Sequence, residues 1–181
     1  MRPLKAYDIQ FVGLKLGKHI YDYEINQTFF EYFEFDEFNT INVNLNIHLE
    51  KKTTLLELNF SGNGSVNINC DVSNEPYDQP INFNFNLVVK FGQEYNNEND
   101  SILIIPHGSY EINIAQYIYE LIVLSVPQKR IHPGVEDGTL NSEILRKLED
   151  LSPNADLKGE SSSNDVDPRW NKLKKLLTDK E

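Results

Sequence analysis

Hydrophobic and polar residues alternate with a period of two along much of the first half of this chain. Ile41, Val43, Leu45, Ile47 and Leu49 fall on one side of the stretch Ile41–Glu50, and Asn42, Asn44, Asn46, His48 and Glu50 on the other. That is the pattern of a strand with one wet face, as antiparallel sheets have. After a turn at Lys51-Lys52-Thr53, Leu55 to Phe60 reads as the return strand, and Ser61-Gly62-Asn63-Gly64 reads as its break. Val66, Ile68 and Cys70 alternate in a further strand. Glu75 to Pro80 reads as a proline-bounded turn, and Ile81, Phe83, Phe85, Leu87, Val89 and Phe91 make a long last alternation. Upstream, Asp8–Phe11 and His19–Ile25 predict two more strands, and the aromatic and acidic run Thr28–Phe38 predicts a short helix or an irregular edge. Gln93–Ser101 reads as an acidic loop before a short buried strand at Ile102–Ile105. Together these segments predict an antiparallel meander.

The period then changes. Ile114, Ala115, Ile118, Leu121, Ile122 and Ser125 have helical spacing, which predicts a helix over Ile112–Val126. Asn113 can cap it, Gln116 sits where a capping box places it, and Pro127 ends it. Leu140, Ile144, Leu145, Leu148 and Leu151 form a second helical stripe, with Asn141 or Ser142 as cap. Residues 152–166 are polar, Ser-rich and acidic without periodicity, as a flexible linker is. Asp167-Pro168 then opens a short amphipathic basic helix over 167–181. The expectation is an α+β fold: an antiparallel meander, partly open barrel or sandwich-like, packed by one main helix, with C-terminal helices. Its domain is 1–151, followed by the linker 152–166 and the helix 167–181.

Charge changes the picture at two places. The chain has 17 Lys and Arg against 28 Asp and Glu, a formal charge of −11. Such a body does not coat nucleic acid, because phosphate neutralisation needs a basic face. Two local segments run against this balance: Lys129, Arg130 and His132 after the main helix, and Arg169, Lys172, Lys174 and Lys175 around Trp170. Both are candidate contacts to RNA or to a partner, with Trp170 as an anchor in a groove. The first also complements the helix dipole, which is its plainer explanation.

Catalytic chemistry is not indicated. His132 beside two cations could serve as an acid–base group in RNA cleavage, yet no second His or paired carboxylate lies at a set spacing. Gly13-Leu14-Lys15-Leu16-Gly17 lacks the ending of a phosphate loop. The acids of Glu31–Glu37 could meet a divalent cation, but interleaved aromatics make a solvated face the simpler reading. The single cysteine excludes an internal disulfide and suits a reducing compartment. No apolar run approaches the ~20 residues that span a bilayer. A cytoplasmic, non-enzymatic protein without cofactor or metal is expected.

Five segments in order carry a family resemblance: FVGLKLGKHIYDYEI, CDVSNEPYDQPI, VVKFGQEY, INIAQYIYELIVLSVPQKRIHP and DPRWNKLKKL. They resemble the YceD family, the large ribosomal RNA subunit accumulation proteins. The resemblance implies a role in accumulation or processing of the large-subunit ribosomal RNA and in assembly of that subunit, and it implies no reaction. The partner would be the RNA precursor or an immature large-subunit particle. The alternatives are an acidic escort for a basic ribosomal protein and, third, a nuclease acting on the precursor. Many relatives in this family carry a Cys-x-x-Cys where this chain has Cys70-Asp71-Val72-Ser73, and further cysteine after the equivalent of Arg130–Pro133. A structural zinc takes four thiolate or imidazole ligands, and Cys70 is all that remains of them here.

Overall fold

The computed structural model of the chain describes residues 4–140 and 142–151. Two compact units divide between Asp137 and Gly138. Among its described residues the first holds a 3-10 turn at Lys5–Tyr7, eight strands and three α-helices: β1 (Asp8–Gln10), β2 (Gly17–Asn26), α1 (Gln27–Glu31), β3 (Thr40–Lys51), β4 (Leu55–Asn69), β5 (Pro76–Gly92), β6 (Asn96–Asn99), β7 (Ile102–Pro106), β8 (Glu111–Asn113), α2 (Ala115–Ser125) and α3 (Pro133–Glu136). The second unit contains α4 (Glu143–Leu151), where the Ser142 hydroxyl accepts the Ile144 N–H at 3.3 Å as a cap does.

Six strands form an open sheet in the order β2-β3-β4-β5-β7-β6. The first four are the expected antiparallel meander. Along β3 the alternation is complete: Ile41, Val43, Leu45, Ile47 and Leu49 are buried, while Asn42, Asn44 and His48 face solvent. Beyond the meander the sheet becomes mixed, because β7 pairs with β5 in parallel and β6 folds back antiparallel on β7. The stretch Gln93–Ser101, expected as loop, therefore supplies an edge strand, with its polar side chains outward.

Three other expectations need correction. The sequence Ser61-Gly62-Asn63-Gly64 does not break a strand; β4 runs unbroken from Leu55 to Asn69. A Cβ on Gly62 would fall within the ring of Phe83 on β5, and one on Gly64 would meet the Asn42 carbonyl oxygen on β3, with the Val43 Cα at 2.7 Å. Both glycines sit on the inner face and are there for close approach, as glycines inside strands often are. The stretch Glu75–Pro80 is not a turn either. The turn lies at Asp71–Asn74, and β5 begins at Pro76. Pro80 is tolerated because β7 pairs only with Val88–Gly92, so this half of β5 is an edge whose missing N–H is not needed.

The main helix starts later than expected, at Ala115, because Glu111–Asn113 pairs with β1 in a separate two-stranded sheet. Asn113 serves both elements. Its amide donates to the Asp8 carboxylate at 2.6 Å, and its side-chain oxygen accepts the Ala115 N–H at 3.0 Å. Gln116 closes no capping box and instead donates to Glu120 one turn on, at 2.7 Å. Ala115, Ile118 and Ile122 bury the face of α2 that joins the inner layer of the sheet in one continuous core. The Thr28–Phe38 run packs against that helix: the Phe33 and Tyr119 rings stack at 4.4 Å, and Phe30 lies 5.6 Å from Tyr119.

Candidate functional site

The cationic segment after α2 is strapped to the connection between β4 and β5. Cys70 follows β4, and its N–H donates to Glu75 O at 3.0 Å while its carbonyl accepts from Asn74 N at 2.9 Å. Asn74 has φ of 58°, the left-handed conformation that Asn adopts at little cost. Arg130 pairs with this turn through both its backbone groups. Its carbonyl accepts the Asp71 N–H at 2.8 Å, and its N–H donates to the Asp71 carboxylate at 2.8 Å. Its guanidinium reaches the Glu37 carboxylate at 2.7 Å.

The sulfur of Cys70 is the centre of this arrangement. It accepts N–H groups from Val72 at 3.4 Å, Ser73 at 3.5 Å and His132 at 3.2 Å. Burial pushes the thiol upward. The donors from His132, from the Ser73 hydroxyl and backbone, and from Val72 outweigh it, and bring the pKa from 9.0 to about 7. This is a cradle for a thiolate, since a neutral thiol is a weak acceptor.

His132 reaches the sulfur through its backbone N–H, and its ring has other partners. Its Nδ1 accepts the Gly134 N–H at 2.8 Å and caps α3. The ring meets Tyr77 edge-on at 5.5 Å. The Tyr77 hydroxyl is buried and has no hydrogen-bond partner among the described residues. Its pKa is raised by burial first, and then by the charges of Cys70 and Asp71.

Lys129 is exposed and lines a shallow depression of about 340 Å³ together with Asp78 and Glu136. Arg130 and His132 are half-buried. The structure thus brings Lys129, Arg130 and His132 together on one braced loop rather than on a free one. Arg169, Trp170, Lys172, Lys174 and Lys175 lie outside the described residues, as do the linker and the helix proposed for 152–181. Sequence reasoning missed Glu37 and Asp71 as partners of Arg130. Glu37 lies 93 positions away, so no spacing in the sequence signals the pair.

The residues present do not fit a four-ligand structural zinc. Cys70 supplies one thiolate, Ser73 a buried hydroxyl, and the imidazole Nδ1 of His132 is held by Gly134. Among the described residues no group of three or more His, Cys, Asp or Glu side chains is placed to hold a metal ion.

A comparison with protein-family models matches residues 58–177 to "Large ribosomal RNA subunit accumulation protein YceD". The match begins within β4 and takes in the turn at Cys70, α2 and the strapped segment, leaving β1 to β3 before it. No curated protein matches the chain, and no solved structure does. Matched over well over half of its length, the chain belongs to the YceD family of large ribosomal RNA subunit accumulation proteins.

Proposed function

We propose that the chain supports accumulation of the large-subunit ribosomal RNA without catalysing a reaction, by associating in the cytoplasm with the RNA precursor or the immature large-subunit particle. The observation that carries this reading is that the family match spans both halves of the strap, the Cys70 turn and the Lys129–His132 segment. The strap gives a local cationic edge a fixed backbone on a chain of charge −11. Lys129 stands exposed, and Arg130 can exchange Glu37 for a phosphate at little cost, because that pair is partly solvated. Arg169, Lys172, Lys174 and Lys175 would add phosphate contacts, with Trp170 as their apolar anchor.

A non-catalytic role is supported by the chemistry of His132. Its Nδ1 already accepts a backbone N–H, which ties the ring to α3. A cytoplasmic setting is compatible with the finding that, among the described residues, no helix is long and apolar enough to cross a membrane. The test is a photo-crosslinking side chain placed at Lys129 in the full chain. Crosslinks to large-subunit ribosomal RNA precursor are expected, and incubation of purified protein with that precursor leaves it uncut. Crosslinks confined to non-ribosomal molecules, or cleavage of the precursor, would overturn the reading.

A further inference from the structure

A groove of about 720 Å³ opens beside α2, away from the Cys70 strap. Its floor is apolar: Phe85 from β5, Leu103 and Ile105 from β7, and Tyr117 from α2. Leu124 and Tyr95 form its lips and are 81% and 60% exposed. Large apolar side chains left in water around a concave floor mark a surface that something covers.

The charge of the wall narrows what that is. Asp100, Glu111 and Glu120 line the groove, and among the described residues no Lys, Arg or His does. Phosphate is repelled there, so nucleic acid is excluded as the occupant. A second copy of this chain would bring the same carboxylates and a charge of −11 against them. Burial first, and then Tyr95 and Glu120, push the Tyr117 hydroxyl up to about 12. A helix offers one wall for a partner to lie along. One wall is α2, eleven residues long, or roughly 16 Å at 1.5 Å per residue.

We propose that this groove docks a basic amphipathic helix of a partner protein. Apolar side chains on one face of that helix enter the floor formed by Leu103, Ile105 and Tyr117. Lysines or arginines flanking that face meet Asp100, Glu111 and Glu120. This is helix-in-groove recognition, with apolar anchors for affinity and carboxylates for orientation. The surface is separate from the Lys129 segment, so it stands whether or not that segment meets RNA.

The probe is a fluorescein-labelled peptide of Leu and Lys with helical amphipathic spacing, about four turns long. Its control keeps every Lys and replaces Leu by Ser. Fluorescence anisotropy against the full chain is expected to show the Leu/Lys peptide binding at least about tenfold tighter than the control. Leu124→Lys and Glu120→Lys should each weaken it about tenfold while leaving the thermal midpoint in place, because both side chains are exposed. Equal binding of the two peptides, or binding indifferent to both substitutions, overturns the proposal. So does a dimer that Leu124→Lys dissolves, which would make a second copy the occupant. Tighter peptide binding in a full-length chain carrying Lys172→Glu, Lys174→Glu and Lys175→Glu would assign the groove to this chain's own C-terminal segment instead.

Discussion

The backbone N–H of His132 donates to the sulfur of Cys70 at 3.2 Å, joining residues 62 positions apart. With the Asp71–Arg130 pair beside it, this contact ties the segment after the main helix to the turn between β4 and β5. Folding therefore favours the thiolate, whose pKa falls from 9.0 to about 7 through donors that outweigh burial. A depressed acid pKa stabilises the fold above the unfolded value and loses that contribution as pH falls through the folded one. The parent should gain on the order of 2 kcal/mol over Cys70→Ser as pH rises from about 7 to about 9. Urea unfolding of both proteins across that window checks it, and parallel stability curves would remove the thiolate from the account.

Tyr77→Phe should stabilise the protein. The hydroxyl of Tyr77 is buried without a partner among the described residues, while its ring packs on His132. An unsatisfied buried polar group costs about 1–3 kcal/mol, and phenylalanine keeps the ring contact. A rise in thermal midpoint is expected. A fall would mean that the hydroxyl is satisfied in solution.

Gly62→Ala should cost about 1–3 kcal/mol, the range for overpacking a filled site. The new methyl would enter the space of the Phe83 ring. In a Phe83→Ala background the cost should largely vanish, since the conflicting atoms are gone. Gly64→Ala should be equally harmful in both backgrounds, because its neighbours are backbone atoms of Asn42 and Val43. A double-mutant cycle with no coupling between positions 62 and 83 would contradict this packing.

Much of the sheet was legible because its outer face is wet. In β3 every apolar position is buried and its asparagines lie on the other side, so period two alone locates the strand and its core face. The glycines of β4 were misread because glycine both interrupts strands and permits close approach. The choice depends on Phe83 and on the backbone at Asn42, which lie on other strands. The start of α2 was misplaced for a similar reason. Ile112 fits a helical face as well as a strand, and only its pairing with Ile9 decides between them. At the candidate site the cations Lys129 and Arg130 were visible as charge. Their bracing was not, because it comes from Cys70, Asp71 and Glu37, brought there by the fold.

Ile118→Asp should abolish folding. Ile118 has no exposure and lies in the core beneath α2. An unpaired buried carboxylate costs several kcal/mol, comparable with the whole stability of a domain. Circular dichroism followed on heating should show loss of the cooperative melt. A parent-like melt would remove α2 from the core.

Association with the immature large-subunit particle is the central claim, and sedimentation of lysate through a sucrose gradient tests it most directly. The full chain should peak with particles lighter than the mature large subunit. A full-length variant carrying Lys129→Glu and Arg130→Gln, with a melt within about 1 kcal/mol of the parent, should remain near the top of the gradient. The parent staying at the top, or the folded variant travelling undiminished with the particles, would contradict the account.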